Sequence, residues 1–253
     1  MSKLRLYSFR IKPIIVAKIR KKFLLLSFLV AVFLLCIIMA TANGEDTAIS
    51  TFSEVHHPIK SVQTETNSFS LTVNISTHNR ERDIRLLCDV CKGLDVSVCF
   101  FVTVEQLDEN IELIEYISRS GHYLGLYIKE DMSEYSRSEI MRQIAQKNDK
   151  FFTKTQRYPK YVRLEQAEDV KSSEVLNAYC QYNIDSNIAI TEDNTDLIKA
   201  GDIVEIATMD SNAPYLAAKF LAKAIKKDLK PVSLKELLYD IESEVDANGR
   251  QCT

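Results

Sequence analysis

The sequence predicts an α/β fold, most simply a deformed (β/α) barrel of parallel strands, preceded by one transmembrane helix. Three observations carry this expectation. From about Ser70 onward, short β-branched or aromatic runs alternate with segments of helical period, the pattern of βα units whose strands pair in parallel. The 253 residues are 46% hydrophobic and 26% charged, which supplies a buried core and excludes a disordered or fibrous chain. Phe23 to Ala40 is an 18-residue run without a charge, long enough to reach across a hydrocarbon core of about 30 Å. With six Gly, five Pro and no Trp, the chain carries neither a Gly-rich phosphate loop nor a dinucleotide fingerprint.

The elements follow in order. Residues 1–22 hold eight Lys and Arg and no acid, so the positive-inside rule makes them a basic cytoplasmic segment and 23–41 a transmembrane signal anchor. Ala40-Thr41-Ala42 also fits a signal-peptide cleavage pattern, and the alternative is a protein secreted after cleavage near Ala42. The apolar run exceeds the usual length of a signal peptide's core, which favours the anchor. Either way the body is extracytoplasmic. Residues 42–68 are polar, Ser/Thr-rich and without period, and read as a flexible extracytoplasmic linker in which His56 and His57 are solvated.

Leu71 to Ile75 is the first strand. Ile84, Leu87, Cys88 and Cys91 fall on one stripe of a helix, and Val96 to Val102 reads as a buried strand. A helix over Asp108 to Arg119 stops at Gly121 and feeds a strand, His122 to Ile128. Ser136 with Glu139 is a capping box opening a long helix to about Thr153. Further strands are expected at Tyr161 to Leu164, Tyr182 to Ile190 and Ile203 to Ala207, with helices at Asp169 to Tyr179 and Pro214 to Asp228. Ser233 with Glu236 opens a last helix to about Glu242, leaving 243–253 as a disordered tail and 69–242 as the folded domain. No internal repeat is evident.

Beyond residue 22 the chain has 24 basic against 35 acidic residues, a net charge of −11. A body this acidic is a poor partner for nucleic acid. Its surface suits a basic protein partner instead. Five cysteines lie outside the apolar run: Cys88, Cys91, Cys99, Cys180 and Cys252. The Cys88-x-x-Cys91 spacing admits a redox or zinc reading, but both residues share the apolar stripe with Ile84 and Leu87, and the core reading is preferred. Asp83, Asp202 and Asp210 read as solvated turn or cap residues.

The order of these elements resembles the polysaccharide deacetylases with the NodB-homology domain, carbohydrate esterase family 4, over roughly Ser70 to Tyr239. The family's opening TFDDG strand has its counterpart in Leu71-Thr72-Val73-Asn74-Ile75-Ser76, and its ATFFV strand in Val98-Cys99-Phe100-Phe101-Val102. Ser120-Gly121-His122-Tyr123-Leu124-Gly125-Leu126-Tyr127 is similar to EGHEIGNH. Gly201-Asp202-Ile203-Val204-Glu205-Ile206-Ala207 and Pro231-Val232-Ser233-Leu234-Lys235-Glu236-Leu237-Leu238 are similar to GDIVLLH and VTLxELL.

The resemblance implies a divalent metal held by one Asp and two His, an Asp general base and a late His general acid. Position by position the base falls on Asn74 and the ligand Asp on Ile75. The two ligand His fall on Tyr127 and Asp131, and the acid falls on Ala207. Of the family's site residues the Arg persists, as Arg163, followed by Leu164, Glu165 and Gln166 where the family has Pro and aromatic residues. A catalytic zinc needs about three protein ligands and an activated water, and Ile75 supplies no donor. No catalytic residue and no metal ligand is therefore assigned. Asn74, Tyr127, Asp131 and Arg163 are expected to line the old groove as a glycan-binding surface. A repaired divalent site, with zinc as one such metal, would have to be built from His78, Asp131 and Glu165. His122 reads as structural.

Two functions follow from the resemblance. The first is a membrane-anchored pseudoenzyme of the cell envelope, binding a cell-wall glycan or scaffolding an envelope protein. The alternative is an active metal-dependent hydrolase removing N-acetyl groups from a cell-wall polysaccharide.

Overall fold

A computed structural model describes residues 56–252 except 76–79, 192–193, 195 and 207–210. The basic segment 1–22, the anchor 23–41 and most of the linker lie outside the described residues, as do His78, Ala207 and Asp210. Among the described residues no helix is long and apolar enough to cross a membrane.

The centre of the domain is a curved sheet of parallel strands. β2 (Ser68–Asn74) lies between β3 (Cys99–Val102) and β8 (Ile203–Ile206), and β4 (Tyr123–Ile128), β5 (Tyr161–Leu164) and β6 (Tyr182–Asn183) continue on the β3 side. β7 (Ile188–Ile190) borders β8 at the other end, and β9 (Lys230–Pro231) pairs with the start of β2. The central strands β3 and β5 are buried along their whole length, as strands covered on both faces are.

Alternation along the strands separates two cores. Leu71, Val73, Phe100, Val102, Leu126, Val162 and Val204 point outward and are covered by helices. These are α1 (Glu81–Gly93), α2 (Val104–Glu109), α3 (Ile111–Arg119), α4 (Arg137–Thr155), α5 (Val170–Ala178) and α6 (Ala213–Lys226). Cys99, Phe101, Tyr161, Tyr182 and Ile203 point into the barrel, where Leu234 and Leu237 of α7 (Leu234–Leu237) join them. The expected stripe of α1 is borne out, for Ile84, Leu87, Cys88 and Cys91 are all buried. Burial pushes the Cys88 and Cys91 thiols up to about 12, which is the setting of inert core cysteines.

The expected strand from Tyr182 to Ile190 is two pieces serving opposite neighbours. Tyr182 and Asn183 pair with Tyr161 and Val162 of β5, whereas Ile188 to Ile190 pair with Val204 to Ile206 of β8. One extended segment thus closes the barrel, held by its lower half on one side and its upper half on the other.

The gap this leaves beside β8 is filled by residues assigned to the linker. The Ile59 amide donates to the Asn183 carbonyl at 2.8 Å, and the Ile59 carbonyl accepts from Asp185 at 2.9 Å. On the other side the Ile203 amide donates to the Lys60 carbonyl at 3.1 Å, and Val62 donates to the Gly201 carbonyl at 2.8 Å. β1 (Ser61–Val62) also pairs in parallel with β10 (Arg250–Gln251), from the expected tail. Ile59, Val62 and Gln251 are buried. The folded unit therefore extends on both sides of 69–242, because the closing strand leaves backbone donors and acceptors that only an added strand can satisfy.

Two helix expectations change. The helix expected from Asp108 begins earlier and breaks at Asn110 into α2 and α3, with Thr103 and Gln106 forming a capping box for the first. The Ser233 and Glu236 capping box is present, but α7 stops at Leu237, since Leu238 is extended (φ −76°, ψ 143°). The Ser136 and Glu139 box opens α4 as expected.

Candidate functional site

Strands of parallel α/β barrels deliver their functional side chains at their C-terminal ends. There, Thr72 and Asn74 of β2 point inward together, two residues apart, beside Phe101 of β3, Arg163 of β5 and Glu205 of β8. Arg163 is the hub. Its Nη1 donates to Asn74 Oδ1 at 2.9 Å and lies 3.2 Å from Glu205 Oε2. Nη2 donates to Thr72 Oγ1 at 3.0 Å, and Nε to the carbonyl of Ile184, in the gap of the closing strand, at 3.1 Å. Its flat guanidinium lies 4.4 Å above the Phe101 ring.

Glu205 is held as fully. Its Oε1 accepts from Asn74 Nδ2 at 2.7 Å and its Oε2 from the Ser186 hydroxyl at 3.0 Å. The Thr72 hydroxyl in turn donates to the Val204 carbonyl at 2.9 Å. Arg163 is 2% exposed. Burial pulls its pKa down and the Glu205 carboxylate, first among its neighbours, pulls it back up. The interior thus pairs the Arg163 cation with the Glu205 anion, both hydrogen-bonded to protein, the condition under which a buried ion pair is tolerated.

Arg163 was expected to line an open groove, and instead it is enclosed. Each of its three nitrogens contacts a protein acceptor, and the enclosed side chain has no free face to offer a sugar. Tyr127 and Asp131 sit further out. The Tyr127 hydroxyl donates to the Glu165 carboxylate, and burial followed by that bond raises its pKa. Lys129 Nζ lies 5.5 Å from the centre of the Tyr127 ring. Asp131 is exposed and accepts from the Ser133 amide at 3.0 Å; the Ser133 side chain first, and then this amide, hold its carboxyl below its ordinary range. Beside Tyr127 is a cleft of about 260 Å³ lined by Thr103, Val104, Glu105, Lys129, Glu130 and Lys147.

The residues present do not fit the divalent metal that the resemblance implies. Ile75 is an alkyl group in the core at 3% exposure, the Tyr127 hydroxyl is bonded to Glu165, and Asp131 caps its own turn. Among the described residues no three His, Cys, Asp or Glu side chains are grouped to hold a metal ion. Of the repaired set, Asp131 and Glu165 are engaged with Ser133 and Tyr127, and His78 lies outside the described residues. His122 is structural, as expected: Nδ1 accepts from Val98 at 3.4 Å, Nε2 lies 3.1 Å from the Cys88 carbonyl, and burial lowers its pKa.

Glu205, Thr72 and Ser186 were missed by sequence reasoning. A signal for Glu205 was there: it is the one acid in the apolar run Ile203-Val204-Glu205-Ile206, and a carboxylate in a buried strand requires a partner.

The architecture has known counterparts. Compared with a family 4 carbohydrate esterase from Bacillus anthracis, the chain is 19% identical with a TM-score of 0.62, over 72% of this chain and 87% of that one. A CE4 family pseudoenzyme from Bacillus anthracis matches at 17% identity and a TM-score of 0.62, over 78% of this chain and 73% of that one. The chitin deacetylase from the fungal pathogen Colletotrichum lindemuthianum matches at 21% identity and a TM-score of 0.61, over 74% and 93%. The fold is that of family 4 carbohydrate esterases. At these identities the likeness is one of fold, and it agrees with the family that the sequence resembles. No family model and no curated protein matches the chain. Within that fold, the end of β2 carries an amide and an alkyl group, Asn74 and Ile75, beside a buried guanidinium–carboxylate pair.

Proposed function

We propose that this chain is a membrane-anchored, extracytoplasmic protein with a family 4 carbohydrate esterase fold that no longer hydrolyses, and that works in the cell envelope by holding a glycan or scaffolding a protein partner. The observation that carries the reading is the enclosed Arg163–Glu205 pair, with Asn74 bridging it. A general base must be free to take a proton, and an Asn amide bonded on both its oxygen and its nitrogen has no such capacity.

Glycan binding is supported by the neighbours in fold, one of which is a chitin deacetylase, and by the cleft beside Tyr127. There an aromatic ring lies among acids and lysines that offer hydrogen bonds to hydroxyl groups. The test is calorimetric titration of the full chain in detergent with chitin oligomers and soluble peptidoglycan fragments, alongside metal analysis and an acetate-release assay. Binding that weakens about tenfold in Tyr127→Ala, the loss of roughly 1.4 kcal/mol, supports the glycan reading. Absence of binding to every oligomer sinks it and leaves the scaffold. Stoichiometric metal with acetate release that His78→Ala abolishes would establish the active hydrolase instead.

A further inference from the structure

One face of the domain takes no part in the barrel interior and reaches the cleft beside Tyr127 at Lys147. From Arg137 to Lys160, along α4 and the turn after it, there are seven Lys and Arg against two acids, whereas the remainder beyond residue 22 has 17 basic and 33 acidic residues. This is a positive ridge on an acidic body. α4 turns Ile140, Ile144, Asn148 and Phe151 inward. At 100° per residue, Met141, Ala145 and Phe152 then share the shoulder that faces α5.

That shoulder is apolar and open to solvent. Met141 is 42% and Phe152 38% exposed, and Phe152 stacks at 4.7 Å on Tyr158, which is 61% exposed. Tyr179, at the end of α5, is 38% exposed and donates to the Met141 carbonyl at 3.4 Å. Next to these rings are the exposed Arg142 and Arg157. Neither forms an ion pair among the described residues, unlike Arg137, Lys147 and Lys154 on the same ridge.

The same face receives the start of the described chain. His56 Nε2 lies 3.1 Å from Asn177 Nδ2 on α5, two positions before Tyr179. Fourteen residues separate His56 from the segment 23–41, a span of at most about 50 Å. Tyrosines interleaved with arginines, beside the point at which the chain from an apolar run arrives, have the chemistry of the lipid headgroup zone.

We propose that the α4–α5 face, centred on Met141, Phe152, Tyr158 and Tyr179 and bordered by Arg142 and Arg157, docks against an anionic lipid surface. The proposal rests on the membrane-anchor reading of residues 23–41. Docking turns the acidic remainder of the domain away from the bilayer.

The exposed Cys180 beside Tyr179 supplies a probe site, since Cys88, Cys91 and Cys99 are buried. The full chain carrying Cys36→Ser and Cys252→Ser is labelled at Cys180 with an environment-sensitive fluorophore. It is then reconstituted into vesicles of phosphatidylcholine alone, or of phosphatidylcholine with phosphatidylglycerol, each containing lipid with a quencher on its headgroup. Quenching is expected in the anionic vesicles, falling to about half or less in zwitterionic vesicles and in the Arg142→Glu/Arg157→Glu variant, whose circular dichroism verifies its fold. A Cys180 probe no more quenched in anionic vesicles than in detergent overturns the proposal. So does equal quenching of a probe on α1 placed by Leu86→Cys. A chain that does not float with either vesicle overturns the anchor reading as well, whereas one that floats with Cys180 unquenched overturns only the docking of this face.

Discussion

At the scale of single residues, the chemistry of the barrel interior is decided by Asn74. As an amide it accepts from Arg163 and donates to Glu205, so one side chain satisfies both charges. An Asp there could only accept. Asn74→Asp sets a second carboxylate against Glu205 with one cation between them, and one of the two retains a proton above the ordinary carboxylate pKa of about 4. Its folded pKa is raised, so the cost of the substitution is absent below about pH 4 and grows by about 1.4 kcal/mol for each pH step of one until the raised value is passed. Urea denaturation at pH 5 and pH 8 checks this, and a variant equally stable relative to wild type at both contradicts it. Restoring Asn74 alone to the family's base therefore yields no free base; Glu205→Gln in the same chain is expected to remove the pH dependence.

Arg163→Met makes a sharper test of the pair. It leaves the Glu205 carboxylate, 14% exposed as a side chain, without its cation, and is expected to cost about 3–5 kcal/mol. Adding Glu205→Leu should recover much of that loss, and a double-mutant cycle showing no coupling would refute the network. Arg163, Asn74 and Tyr127 were legible in the sequence as positions. What they do was not, because the residues they bond lie across the sheet: Glu205 is 131 positions from Asn74, and no local pattern links them.

At the scale of elements, the sequence was most informative where a local rule operates. Capping boxes at Ser136 and Ser233 start helices where expected, and the stripe from Ile84 to Cys91 is buried. It was least informative where an element's neighbours decide its fate. Nothing in Tyr182 to Ile190 says that its halves bond different strands, and nothing between 59 and 62 marks so short a run as part of a barrel. Glycine permits close approach at two places, inside the barrel and at the closing seam. A Cβ on Gly125 would meet the Phe101 ring at 2.5 Å, the same ring on which Arg163 lies. Gly201 has φ +88°, and a Cβ there would come within 1.9 Å of the Val62 carbonyl oxygen. Gly201→Ala is expected to cost about 2–4 kcal/mol and to speed hydrogen exchange at Val62, whose amide bonds Gly201. Unchanged exchange there would mean that the arm does not depend on this turn.

For the whole molecule, the domain limits read from composition were too narrow at both ends. Polar, Ser/Thr-rich sequence looks like linker even when Ile59 and Val62 within it are 5% and 1% exposed. A piece cut to 69–242 loses both side chains, each contributing about 1.5–3 kcal/mol, together with the backbone bonds of β1. It is expected to melt well below a 56–253 piece in a thermal scan. Equal melting temperatures would return residues 56–68 and 243–253 to the role of linker and tail.

The closing seam also sets an order in time. Residues 59–62 cannot be fixed until 183–185 and 201–203 have formed, and β1 gains its second partner only from Arg250 and Gln251, far on in the sequence. Contacts so distant in sequence form late and slowly. The first part of the domain to be synthesised is therefore the last to be folded, and the barrel stays open along one side until residues 201–203 have been made.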